Sequence, residues 1–286
     1  MRSNRRLRWA AIPVAVAISI GLAGCSPEQL RGFLPGEPGV TNHTDSIVGL
    51  WTTSWIVLLI VGMLTWGLIL WAAVVYRRRK GQTGLPVQMR YNLPIEILYT
   101  VIPLILVLGF FAFTARDQAA IEKPIADPDV SIEVIGKRWA WDFNYLSEDV
   151  YYTGIQAQER EGDIGEDLPT LYLPVDKTVE IKVESRDVAH SFWVIDFLYK
   201  KDMLPGKSNY MYFIPQEIGT YAGKCAELCG EYHSLMLFQV EVVSQEDYDA
   251  YIESQRAAGF EGAIGLDYNP NQNLPGTGAV KTEETE

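Results

Sequence analysis

Cys225-Ala226-Glu227-Leu228-Cys229-Gly230-Glu231-Tyr232-His233-Ser234-Leu235-Met236 gathers two thiols, an imidazole and a thioether within twelve residues. His190 lies 35 residues upstream of Cys225, in Asp187-Val188-Ala189-His190-Ser191-Phe192-Trp193. The chain has three His and three Cys in all, so two of each meet in one candidate site. These soft donors suit copper, Cu(I) included, better than magnesium or calcium. Four arrangements remain open. Cys225 and Cys229 could pair as a disulfide in an oxidising compartment. A Cys2His2 set could hold a structural zinc ion, which has no evident use for Met236. One copper could take one Cys, two His and an axial Met, leaving a thiol over. Two coppers could share both thiolates, each with its own His, and only this scheme uses every ligand. It would carry one electron at a time, with the charge change spread over two metals. The remaining His, His43, offers no base beside a nucleophile, so nothing suggests a hydrolase.

The flanks of this segment read as β-structure. Residues 130–135 and 179–184 alternate apolar and polar, the period of half-buried strands. Leu171–Leu173, Phe192–Ile195, Tyr210–Ile214, Gly219–Ala222 and Leu237–Val242 are further strand candidates, punctuated by Pro174, Pro205-Gly206, Pro215 and Gly230. Many short strands between turns predict an all-β sandwich or barrel over residues 116–253. The acidic stretch 148–167 reads as a long loop within it. Residues 254–286 read as a mobile tail. Trp139 and Trp141, two apart, share one face of a strand in this reading, which by itself suggests a core pair.

The front of the chain is different. Arg2, Arg5, Arg6 and Arg8 precede an apolar run, Ala10–Ala23, too short for an independent span. The run ends Leu22-Ala23-Gly24-Cys25, which resembles a bacterial lipobox: residues 1–24 would be a signal peptide and Cys25 would be lipidated. Residues 25–45 would form an outer N-terminal segment. No charge occurs between Asp45 and Arg77, nor from Ile97 to Ala115. Spans of ~20 apolar residues cross a bilayer, so 46–76 and 95–115 are predicted transmembrane helices, with Pro103 tolerated in the second. The loop 77–94 between them carries Arg77, Arg78, Arg79, Lys80 and Arg90, and positive-inside bias places it in the cytoplasm. The signal peptide and the loop charge agree in placing residues 116–286 on the outer face. Glu96, at the cytoplasmic start of the second span, fits a helix-dipole role or a proton-pathway carboxylate.

Charge follows the same division. The chain is −12 overall, with +6 in residues 1–114 and −18 in residues 115–286. An acidic outer domain repels phosphate backbones, which excludes nucleic acid as the main partner, and its field attracts basic ones. At 48% hydrophobic and 21% charged, the composition is not that of a disordered chain.

Taken together, these residues resemble the cytochrome c oxidase subunit 2 family of haem–copper respiratory oxidases over roughly residues 45–243. The Cys-x3-Cys-x3-His-x2-Met motif with an upstream His resembles that family's dinuclear CuA site. The resemblance implies a two-helix transmembrane hairpin followed by a cupredoxin-like Greek-key sandwich. It implies copper ligands His190, Cys225, Cys229, His233, Met236 and the backbone carbonyl of Glu227. It implies that the Glu227 side chain reaches a magnesium ion at the interface with subunit 1. Arg138-Trp139-Ala140-Trp141 resembles the aromatic patch whose first Trp receives the electron from cytochrome c. Asn92-Leu93-Pro94-Ile95-Glu96 resembles the helix start whose Glu opens a proton channel. Quinol-oxidising relatives lack the copper ligands, and nitrous oxide reductase lacks this two-span arrangement. The implied partners are subunit 1 with its haems, other oxidase subunits, membrane lipid and a c-type cytochrome.

Two features depart from the family pattern. Arg186-Asp187 stands where two acids commonly precede the upstream His, and the 148–167 loop is longer and more acidic. They point to a membrane-held c-type donor in a bc complex, received with the help of this loop. The readings of another class are a surface lipoprotein binding module with structural zinc or a disulfide, and a copper-delivery protein.

Overall fold

The computed structural model describes residues 26–267, except 86–87, 158, 161–162 and 165–167. The signal peptide, Cys25 and residues 268–286 therefore lie outside the described residues. The chain divides into a helical unit and a β unit.

In the helical unit, a short helix α1 (Pro27–Leu30) starts on a capping box between Ser26 and Gln29. Two long helices follow, α2 (Thr44–Val75) and α3 (Leu93–Ile121), of which residues 48–75 and 93–111 belong to this unit. Each carries an 18-residue window of mean hydropathy 2.4, none of it buried within the chain. Side chains such as Leu58, Trp66, Ile105 and Phe111 are exposed. A helix apolar on all sides with nothing packed on it requires an apolar solvent. At ~1.5 Å per residue both exceed the ~30 Å hydrocarbon core. The second helix runs beyond its apolar stretch through Arg116 and Asp117, which pair with each other at 2.8 Å. At its start, Glu96 Oε1 accepts the Asn92 backbone N–H at 2.9 Å and caps the first turn.

The β unit is a sandwich of two five-stranded sheets. One contains β1 (Val130–Lys137), β2 (Ala140–Tyr145), β3 (Val150–Thr153), β7 (Val179–Ser185) and β10 (Asn209–Phe213), in the order β10-β7-β1-β2-β3. The other contains β6 (Thr170–Pro174), β8 (His190–Val194), β9 (Tyr199–Met203), β11 (Gly219–Cys225) and β12 (Leu237–Val243), in the order β6-β12-β11-β8-β9. Strands cross between sheets, so β1 runs parallel to β7 and β6 to β12. The register places Ile132, Val134, Ile181 and Val183 of one sheet inward, with Val240 and Val242 of the other. Trp141 joins the sheets at the centre, its ring 5.4 Å from Phe192 and 5.1 Å from Phe238.

Three expectations are corrected. The stretch 148–167 is not one loop: it contains β3 and a small hairpin, β4 (Glu159–Arg160) with β5 (Asp163–Ile164). Residue 254 does not begin a tail. A helix α4 (Gln245–Ala257) runs through it, burying Tyr248 and Ile252 and stacking Tyr251 on Tyr172 at 3.9 Å. The chain then returns along the sheet, where Tyr151 N–H reaches the Phe260 carbonyl and Asn144 bonds both N–H and C=O of Ile264. Trp139 does not share a strand with Trp141. It lies in the turn between β1 and β2, half-buried, while Trp141 is fully buried.

Candidate metal centre

Local sequence explains how the ligands converge. His190 opens β8, and its ring packs on Gly136 of β1, where a Cβ would stand 3.1 Å from the imidazole. Cys225 ends β11. Its N–H reaches the Met236 carbonyl at 3.0 Å, and the next N–H reaches the Ser191 carbonyl at 2.9 Å. The intervening segment thereby closes into a loop across the ends of three strands. Gly230, at φ +129°, turns it. A short 3-10 turn at His233–Leu235 brings Met236 back beneath.

The donor atoms follow one another at contact distance. His190 Nδ1 is 3.8 Å from Cys225 Sγ, which is 3.8 Å from Cys229 Sγ, which is 3.5 Å from His233 Nδ1. The Glu227 carbonyl oxygen flanks Cys225 Sγ at 3.2 Å, and Met236 Sδ flanks Cys229 Sγ at 3.7 Å. Both cysteines are free, their sulfurs 3.8 Å apart and not bonded as a disulfide. His190, Cys225 and Cys229 offer atoms within 4.8 Å of one another, and His233 falls outside that group. The four do not close around a single tetrahedral point as one zinc requires. His190, Cys225 and Cys229 form one cluster, and His233 joins it through Cys229, so these four side chains could hold soft-metal ions.

Charge is arranged to match. Asp187, three residues before His190, accepts its Nε2–H at 2.8 Å and the Arg138 backbone N–H at 2.8 Å. Burial opposes the Asp187 charge, but these bonds hold its carboxyl down to about 2. Burial likewise opposes protonation of His190, and the Asp187 and Cys225 partners outweigh it, raising its pKa. The Cys229 thiol, then His190, stabilises the Cys225 thiolate and lowers its pKa, while Cys225 in turn pushes the Cys229 thiol up.

Around the centre, Trp139 sets its ring edge-on to Tyr232 at 4.9 Å and lies over Gly230, where a Cβ would come within 3.2 Å of it. Glu227 is exposed beside Leu228, itself 76% exposed. Sequence reasoning missed the inward role of Asp187 and the partners of Arg186. Arg186 is buried, 3.2 Å from Asp142, whose other oxygen meets the fully buried Lys137 at 2.7 Å. The spacing of Asp187 and His190 was the available signal for the first. Nothing local in the sequence marks the second.

Two apolar helices followed by a cupredoxin-like sandwich with a thiol–imidazole–thioether cluster define the architecture of a membrane protein with a candidate soft-metal site. Residues 130–243 match the family described as "Cytochrome C oxidase subunit II, periplasmic domain". A Streptomyces avermitilis protein named "Probable cytochrome c oxidase subunit 2" is 41% identical, over 92% of both chains. One of the same name from Streptomyces coelicolor is 37% identical over the same shares. The periplasmic domain of subunit II of cytochrome oxidase from Bradyrhizobium japonicum aligns with TM-score 0.43 at 26% identity, over 47% of this chain and 99% of that one. The chain belongs to the cytochrome c oxidase subunit 2 family. It is thus a subunit of an oxidase, and the surface-module reading is set aside.

Proposed function

We propose that this chain accepts electrons from a c-type cytochrome at a dinuclear copper centre and passes them to haem in subunit 1, where oxygen is reduced to water with proton pumping. The observation that carries this reading is the succession of contacts His190–Cys225–Cys229–His233, with Glu227 O and Met236 Sδ flanking the thiols. When bound there, two coppers sharing one unpaired electron supply reversible one-electron transfer. Cys225, Cys229, His190 and His233 would hold them, with the Glu227 carbonyl and Met236 as further donors beside the thiols. Asp187 fixes the His190 tautomer so that Nδ1 faces Cys225. Trp139, half-exposed against the metal loop, is placed to receive the electron.

The family match also supports finer assignments. The exposed Glu227 side chain is available to a magnesium ion at the interface with subunit 1. Glu96 would open the proton channel from the cytoplasm. The loop charges support an outer-face β unit in a bacterial plasma membrane, and the lipobox-like sequence supports a lipid anchor at Cys25. Three histidines are too few for the haem and haem–copper sites of the family's core, so subunit 1 must carry them. We favour a donor held at the membrane in a bc complex and received near 148–167. Deleting residues 155–166 should then slow electron transfer from the native donor, and an unchanged rate would remove that part of the reading.

The test is electron paramagnetic resonance of the copper-loaded full chain in detergent, with a metal count. Hyperfine structure from one electron shared by two equivalent coppers is the expected result. A single-copper signal or zinc alone would overturn the proposal. Rapid loss of copper to a thiol-rich acceptor would favour copper delivery instead.

A further inference from the structure

The ligand side chains are not equally covered. His190, Cys225, Cys229 and Met236 are buried, and His233 alone among them is half-exposed. The open edge of the centre is therefore at His233, and a surface cavity lies against it. Its lining includes His233, Cys225, Lys224, Trp193 and Lys200. Strand register explains this wall: Lys224 of β11 pairs with Trp193 of β8, which pairs with Lys200 of β9. The three stand in one row across the sheet, with Lys224 Nζ 4.7 Å from the Trp193 ring. Neither lysine meets a carboxylate among the described residues. In a half of the chain at −18, the β8–β9–β11 wall of the open edge is cationic and aromatic, with Glu227 and Glu231 exposed elsewhere on the metal loop.

That sign bears on how a metal arrives. A bare cation approaching His233 meets two ammonium groups, whereas the rest of the domain would draw it elsewhere. A cation carried within an anionic shell is attracted to the same rim. Resting on the copper reading above, we propose that the Lys200–Trp193–Lys224 row is a docking surface for a copper(I) carrier that presents carboxylates beside its metal. The transfer is ligand exchange. Copper(I) leaves the carrier's donor atoms for His233 and the thiols, each thiol that binds as thiolate releases a proton, and no electron changes hands.

The test loads the copper-free full chain in detergent from two probes, Cu(I) bis-bicinchoninate, an anion, and Cu(I) bis-neocuproine, a cation. Conditions are chosen where the rate rises with protein concentration, so that encounter sets it. Donor colour and bound-metal analysis are the readouts. Added salt should slow wild-type loading from the anionic probe. K200E/K224E should slow it by about tenfold or more, without slowing loading from the cationic probe. K200Q/K224Q should fall between, and it serves if the charge-reversed chain is misfolded. Salt-independent loading, or equal slowing from both probes, would overturn the docking surface. Failure of the wild type to take copper from either probe would instead overturn the copper reading, and the docking surface with it.

Discussion

His190 donates from Nε2 to Asp187 Oδ1 at 2.8 Å, and this turns the opposite ring nitrogen toward Cys225 Sγ. An ionised carboxylate can only accept, so the tautomer is set: Nε2 carries the proton and Nδ1 is free for a metal. Asp187→Asn keeps the shape and removes the charge. Copper affinity should fall about 10- to 100-fold, as for other partners one shell out from a metal. Competition against a chelator of known affinity measures this. An unchanged affinity would mean that packing on Gly136 alone orients the ring.

Trp139 touches the metal loop at Gly230 and Tyr232 without a part in holding the ligands. Trp139→Ala should slow electron uptake from reduced cytochrome c in stopped-flow mixing while the copper spectrum stays as in the wild type. Loss of the spectrum would instead assign the ring a structural role. Gly230→Ala places a side chain at φ +129° and against the indole, at a cost of about 1–3 kcal/mol. Both uptake rate and loop geometry should suffer together in that variant.

The metal segment was readable because five of its six donor positions lie within twelve residues and their chemistry is distinctive. The two membrane helices were readable because absence of charge over 31 and 19 apolar-rich residues has few other meanings. Strand β2 was less so. Its polar residues Asp142 and Asn144 are completely buried, since Lys137 and Arg186 meet the first and the returning segment at Ile264 covers the second. No local pattern announces a cover supplied from 120 residues away. Helix α4 did carry a signal, Tyr248, Tyr251 and Ile252 at helical spacing, but three apolar residues in a polar stretch are easily passed over. Arg186 was read as a lost surface acid because its partner lies on another strand.

That partner is the basis of a stability prediction. Lys137, Asp142 and Arg186 bring one negative and two positive groups into the interior, with Thr153 and Gly154 N–H also bonded to Asp142. Asp142→Ala removes the carboxylate that Lys137 and Arg186 share. Removing one member of a buried ionic group costs about 3–5 kcal/mol, so the thermal midpoint of the β unit should fall steeply. A midpoint within a degree or so of the wild type would mean that water reaches the cluster and that Asp142 is not its anchor.

Acid sensitivity should trace in part to the seam before β1. The Asp129 carboxylate accepts the Thr178 hydroxyl at 2.6 Å and the Thr178 N–H at 2.8 Å, while Thr178 Oγ1 accepts the Asp129 N–H. The hydroxyl bond first, then the backbone bond, lowers its pKa below the ordinary carboxylate value. A depressed acid stabilises the fold in its ionised form. The contribution is therefore complete above the unfolded value of about 3.9 and is lost as pH falls through the lower folded value. Asp129→Asn can still accept both bonds but cannot titrate. Its unfolding midpoint should vary less with pH than the wild type's below about pH 4 and run parallel to it at neutral pH. Identical acid limbs for the two proteins would show that Asp129 is not linked to folding, and would leave the acid response to carboxylates elsewhere in the sandwich.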